Sequence, residues 1–419
     1  MRSTKCNALE IYNLITIIVV IAAVFGYINF RFIKLPSTIG IMLISVIASL
    51  IVICIGYSSP KFFYNIKHII RNINFYTALM QVMLGFLLFA GSMHIDAKKL
   101  RKERASVVTF STVGVVLSTF IIGILMYVVT GWFGIKMDFI YCLLFGALIS
   151  PTDPIAVLGI LKQANIPQSL EIKITGESLF NDGVAVVVFT TITEVVRVGI
   201  DNVSAGSIIW LFLKEACGGF AFGLLLGYVG FLALKSINNY TIEVLITLAI
   251  VMGGYTFADY LHISGPLAIV AAGIVTGNQS LEYGTSDETR DYITKFWEMI
   301  DEVMNAILFL LIGFEMLVIP FTRSLLWLGG AAILIVLAAR FLSVALPIVV
   351  LKKRRSFEKN AIAILTWGGL RGGISVALAL SLQPNYSTRI MVSITYFVVL
   401  FSILVQGLTI GKIARKLAA

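Results

Sequence analysis

The run Gly176-Glu177-Ser178-Leu179-Phe180-Asn181-Asp182-Gly183 places two carboxylates, a hydroxyl and a carboxamide inside an otherwise apolar stretch. At helical periodicity Ser178 and Asp182 share one face, and Glu177 and Asn181 share the neighbouring one. A hard cation such as sodium takes oxygen ligands. Asp182 and Ser178 supply them, and the interrupted backbone near Thr152 is expected to add hydroxyl or carbonyl oxygen. A carboxylate in a low-dielectric cavity holds a proton more tightly, and a nearby cation does the opposite. One such group, here Asp182, can carry a metal cation or a proton but not both, and that competition suffices for exchange. Glu177 reads instead as a carboxylate held ionised by an arginine.

Further ionisable residues lie at membrane depth, where charge is expensive and marks function. Asp153 sits in Ser150-Pro151-Thr152-Asp153-Pro154, and Arg371 in Trp367-Gly368-Gly369-Leu370-Arg371-Gly372-Gly373. Both segments interrupt an apolar run, and Pro and Gly at such depth suit backbone that lines a cavity rather than lipid. Half-helix ends facing each other there need compensation. A carboxylate suits the N-terminal ends and a guanidinium the C-terminal ends. Arg340, central in its own apolar run, needs a partner, and Glu177 is the free candidate.

The elements that carry these residues follow from composition. With 58% hydrophobic and 13% charged residues, the chain is far from a soluble globular protein. Apolar stretches of transmembrane length recur throughout, predicting an all-α polytopic membrane protein with about thirteen transmembrane helices. The two interrupted segments lie an odd number of spans apart. This points to inverted repeats of about six helices each, with interrupted, crossing helices. Within one transporter domain, 1–419, repeat one covers about 11–198, a linker helix about 207–235, and repeat two about 241–411. The first apolar run is too long for a signal-peptide core and is kept as a span. No long polar tail is read after the last one.

The net charge of +10 resides in short loops, which fits positive-inside topology rather than nucleic-acid binding. Lys98, Lys99, Arg101, Lys102 and Arg104 are an even number of spans from Lys352, Lys353, Arg354, Arg355 and Lys359. Both clusters, and the tail Lys412, Arg415 and Lys416, therefore fall on one side. That side is expected to be cytoplasmic, with the N-terminus outside. Lys61, Lys67 and Arg71 then violate the rule, and the stretch 60–72 reads as an interfacial helix. Cys6, Cys54, Cys142 and Cys217 have no metal or CxxC spacing. His68, His94 and His262 read as packing or interface residues, as do the span-end acids Glu194, Glu215, Glu243, Asp259 and Glu315.

The segments 150–161, 174–189 and 367–382 resemble the NhaP/NHE branch of monovalent cation:proton antiporters, with weaker matches at 85–103, 264–278 and around Arg340. Together they span nearly the whole chain. Asn181 before Asp182 is specific to that branch, because electrogenic relatives carry two aspartates there. The resemblance implies electroneutral one-to-one exchange of sodium or lithium for protons in the inner membrane. It also implies a homodimer in which a core domain moves against a dimerisation domain, and no cofactor. It puts Asp182, Ser178, Glu177 and Thr152 at the ion, and pairs Glu177 with Arg340 and Asp153 with Arg371. Ala90 departs from the family, where an acidic residue is frequent.

Other classes fit less well. A potassium/proton antiporter differs in the cation alone. A cation channel needs a continuous pore ring, whereas the buried charges here are clustered and of both signs. An intramembrane aspartyl protease could use Asp153 and Asp182, but Arg371 and the Asn-Asp pair suit a cation site better. A primary pump lacks its phosphate-binding loop.

Overall fold

The computed structural model describes residues 8–72, 75–153, 161, 166–199, 203–280, 286–319, 322–352, 357–358 and 360–418. Cys6, Pro154, Lys353, Arg354, Arg355 and Lys359 lie outside the described residues. Every regular element described is a helix. In order these are α1 (Ala8–Ile28, running on into a π-helical turn, Asn29–Ile33), α2 (Ser37–Ser58), α3 (Pro60–Asn72), α4 (Thr77–Met93), α5 (Ala97–Trp132) and α6 (Phe139–Ile149). There follow α7 (Gln168–Val198), α8 (Ala205–Lys235), α9 (Tyr240–Tyr260), α10 (Gly265–Val275) and α11 (Asp287–Glu315). The last are α12 (Arg323–Leu351), α13 (Ala361–Trp367), α14 (Gly373–Ser381) and α15 (Tyr386–Leu417).

Among the described residues, eight helices are long and apolar enough to cross a bilayer by themselves. The expectation of about thirteen counted runs that the structure divides or dilutes. The run at 359–381 is split into α13 and α14, α10 is short, and the first half of α11 is rich in charge. The stretch 60–72 does form a separate amphipathic helix, α3, with the Lys67 ammonium 5.5 Å from the Phe63 ring centre.

Polar caps start helices where the chain leaves a loop. Asp96 accepts from the Lys99 amide at 3.1 Å to open α5, and Asn385 and Thr388 form a reciprocal capping box on α15. Gly219, Gly223 and Gly227 stripe one face of α8 and bring α10 to backbone contact there, the close approach that helices in lipid favour.

The start of α5, the entry to α13 and the end of α15 meet on one face. Lys173 of α7 is almost fully buried; its ammonium pairs with Glu103 of α5 at 3.6 Å and with Glu358, just before α13, at 3.0 Å. It also lies 5.1 Å from the Phe357 ring centre. Asn360 donates to the Leu417 carbonyl at 3.0 Å. The first turns of α5, the entry to α13 and the end of α15 therefore lie together.

Burial raises the Glu358 carboxyl, but hydrogen bonds from Ser169, its own backbone and Lys173 outweigh it and hold the group below the ordinary glutamate value. A depressed folded-state pKa stabilises above the unfolded value and loses that stabilisation as pH falls through the folded one. Glu358→Gln is therefore expected to unfold at a lower temperature than wild type at neutral pH in detergent. The gap should close only below about pH 4.3, the ordinary glutamate value. A gap constant across that range would remove Glu358 as an ionised anchor.

Candidate cation-binding site

Two interrupted segments cross at the centre. After α6 the chain leaves helical geometry at Ser150, and the Asp153 amide donates to the Leu370 carbonyl at 2.8 Å, an antiparallel bridge of one residue pair. Leu370 lies in the break between α13 and α14. Each break thus meets part of the other's backbone hydrogen-bonding need, which lipid cannot do.

The charged residues settle at the exposed helix ends. Arg371, 2% exposed, donates through Nη1 to the carbonyls of Ser150 and Pro151, the latter at 3.0 Å. It compensates the C-terminal end of α6, as expected of a guanidinium. The direct pair of Arg371 with Asp153 does not form: Nε and Nη2 of Arg371 reach no hydrogen-bond acceptor among the described residues. Asp153 instead lies against Gly372, where any Cβ would run into its carboxylate, and so sits at the N-terminal end of α14. Opposite ends of two half-helices draw the two charges to different backbones.

Glu177 and Arg340 do pair. Arg340 of α12 donates to both oxygens of Glu177 on α7, Nη2 to Oε2 at 3.1 Å. Its Nε and Nη2 also donate to the Leu365 carbonyl at 3.2 and 3.1 Å. Gly369 lies so close that a Cβ there would meet the guanidinium. Both charges are buried; Glu177 is matched by Arg340, and Arg340 by Glu177 and the Leu365 carbonyl.

Thr152 ties the first break to α7. Asn181 donates to Thr152 Oγ1 at 2.8 Å and accepts from the Thr152 amide at 3.4 Å. Ser178 donates to the Thr152 carbonyl. The carboxamide is thereby committed to holding the break. One residue further along α7, the Asp182 carboxylate makes no hydrogen bond or ion pair among the described residues. It is 8% exposed, and that exposure is to a cavity of about 630 Å³. The cavity runs from Asp96 and Lys99, at the start of α5, down to Thr152, Asp153 and Asp182.

Of the residues expected at the ion, Thr152 and Asp182 line this cavity, while Ser178 and Glu177 stand behind them. Several lining residues escaped the sequence reading: Glu171 on the first turn of α7, and Glu298, Asp301 and Glu302 on α11. Their spacing of three and four residues on one helical face was the available signal. Asp301 and Glu302 fall at the start of an apolar run that reads as a span, about 300–319, and Glu298 just before it, where acidic residues ordinarily face water. Ser402 and Gln406 were missed as well. They are polar residues four apart in the apolar run of α15, and both are buried.

The family model described as "Sodium/hydrogen exchanger, transmembrane" matches residues 19–416. The Na(+)/H(+) antiporter NhaP of Pseudomonas aeruginosa is 48% identical over 419 residues, covering 97% of this chain and 97% of that protein. The Na(+)/H(+) antiporter NhaH of Halobacillus dabanensis is 33% identical over 390 residues, covering 92% and 93%. The fold is similar to that of the solved sodium proton antiporter MjNhaP1 from Methanocaldococcus jannaschii. The TM-score is 0.76 at 20% identity, with 98% of each chain covered.

Breaking the Glu177–Arg340 pair leaves a buried charge uncompensated. Glu177→Ala and Arg340→Ala are each expected to lose roughly 3–5 kcal/mol of stability. The double variant should lose clearly less than the sum of the two, because it removes both charges. Thermal unfolding in detergent measures this. Strict additivity would show that the two side chains do not act as a pair.

Proposed function

The chain belongs to the sodium/hydrogen exchanger family, and on that premise we propose that it is a sodium/proton antiporter in which Asp182 carries either ion. The observation that carries this reading is the Asp182 carboxylate. It is buried, without a hydrogen bond or ion pair among the described residues, and open to a cavity of about 630 Å³. An ionised carboxylate in such a place is costly to move through the membrane unless something neutralises it. Sodium and a proton each do so, and they exclude each other at the same oxygens. The occupied site crosses and the empty charged one does not. Exchange follows from that condition alone, with no cofactor; the cargo is sodium, or lithium, and the proton.

Thr152 is proposed to add oxygen from its hydroxyl or the neighbouring backbone. Ser178 and Asn181 hold Thr152 in place, and Glu177 stays ionised against Arg340. With Asn181 unable to titrate and bonded to Thr152, a single carboxylate changes its load. The sodium-loaded and proton-loaded sites then have equal charge, and exchange is electroneutral and one to one.

Alternating access is proposed to move a core containing the crossed breaks against the rest of the chain, elevator fashion, in a homodimer. The supporting features are the meeting of the two breaks at Asp153 and Leu370 and the spacing that suggests repeats at about 11–198 and 241–411 around the linker at about 207–235. The protein is a multi-pass membrane protein; positive-inside topology supports an inner-membrane orientation with the basic face and C-terminus cytoplasmic and the N-terminus outside. The cavity then opens to the cytoplasm.

Asp182→Asn is expected to abolish sodium-driven proton flux in reconstituted vesicles while the protein stays folded by thermal unfolding. Retained exchange in that variant would remove Asp182 from the role. Wild-type flux should fall at both pH extremes, since protons displace sodium at low pH and run short at high pH. It should be insensitive to a membrane potential imposed with potassium and valinomycin at fixed pH gradient. A rate that changes markedly with that potential would rule out a single exchanging carboxylate.

A further inference from the structure

The last helix carries polar side chains that the exchange reading leaves unused. α15 contains a π-helical turn at Ser402–Gln406; such turns re-aim side chains and recur at functional sites. Its two polar ends, Ser402 and Gln406, are both buried. Ser402 accepts from the Arg371 amide at 2.9 Å and donates to Gln406 Oε1 at 2.7 Å. Gln406 Nε2 donates to the Trp367 carbonyl at 3.1 Å. Trp367 ends α13, and Arg371 stands just before α14. Two side chains four residues apart therefore hold backbone groups on both sides of the second break.

From there the contacts continue to the cation site. The Leu370 carbonyl, one residue before Arg371, accepts from the Asp153 amide. Asp153 follows Thr152, which Asn181 and Ser178 hold against the turn bearing Asp182. Gln406 also borders a cavity of about 10 Å³, room for a single water, together with Arg340, Gly369 and Arg371.

We propose that Ser402 and Gln406 are positioning residues for cation exchange: they set the height of the crossing, and through it the distance between Thr152 and Asp182. The proposal rests on the reading of Thr152 and Asp182 as the cation site. The physical reason is that a break inside a membrane has no solvent to fall back on. Without the Ser402 hydroxyl, the Arg371 amide must find another acceptor, and the segment must shift to reach one. Displacements of about half an ångström spoil a ligand constellation. For a bound cation, such a shift acts on affinity. A residue that merely stabilised the fold would change yield and unfolding temperature but leave the apparent KM for sodium unmoved.

The test is sodium-driven proton flux in reconstituted vesicles for wild type, Ser402→Ala, Ser402→Thr and Gln406→Leu. In Ser402→Ala the KM for sodium should rise about fivefold to tenfold, the scale of one lost hydrogen bond. The maximal rate should change far less. Ser402→Thr, which keeps a hydroxyl at the same place, should return KM close to wild type. Gln406→Leu should follow Ser402→Ala; if it does not fold, the two Ser402 variants decide the matter. A wild-type KM in Ser402→Ala, or a raised KM that Ser402→Thr fails to restore, overturns the proposal. Wild type in the same vesicles separates the two readings. If it does not exchange sodium, the underlying function is wrong. If it does and the variants keep its KM, this inference alone fails.

Discussion

Backbone that leaves helical geometry inside a membrane exposes amides and carbonyls that lipid cannot satisfy, and the rest of this structure is arranged around that need. The two breaks satisfy each other in part, through the Asp153 amide and the Leu370 carbonyl. Side chains supply what remains. Arg371 takes the carbonyls at the end of α6, Asp153 lies at the start of α14, and Asn181 takes both the hydroxyl and the amide of Thr152. Each of these polar groups is bound because the alternative is a buried unpaired group, at a cost of the order of 1–3 kcal/mol apiece.

A site built this way has a fixed electrostatic background. Glu177 of α7 and Arg340 of α12 cancel, and the Leu365 carbonyl holds the guanidinium in place. Asp182 sits one turn further along α7 on the cavity side. It inherits a position from this scaffold without inheriting a counter-charge. In the proposed exchange, that separation of roles lets Asp182 change its load while the Glu177–Arg340 pair keeps its own. The acidic wall of α11 and the first turn of α7 line the approach to it.

Much of this was legible in local pattern. Apolar length identified the spans, Pro and Gly marked both breaks, and helical periodicity set the neighbours of Asp182. The Glu177–Arg340 pair followed from counting buried charges that lacked partners. The Asp153–Arg371 pair failed by the same reasoning, because counting charges ignores backbone dipoles that compete for them. Lys173 escaped notice because it stands near a helix start, where lysine ordinarily faces water. Only the approach of Glu103 and Glu358 makes its burial tolerable. Glu298, Asp301 and Glu302 escaped because they stand at the edge of an apolar run, where acidic residues ordinarily face water.

The sequence by itself determined that the chain is helical and membrane-embedded, where two of its apolar runs are interrupted, and that Asp182, Glu177, Arg340, Asp153 and Arg371 are charges in need of an explanation. These are local properties, governed by periodicity, apolar length and the cost of burying an ion. The tertiary structure alone decided which way each side chain is committed. Ser178 turns to the Thr152 carbonyl rather than to the cavity, Arg371 to backbone rather than to a carboxylate, and Ser402 and Gln406 to a break far from them in sequence. Hydrogen bonds between elements far apart in the chain depend on how helices pack, and no local pattern encodes the distance at which two of them meet.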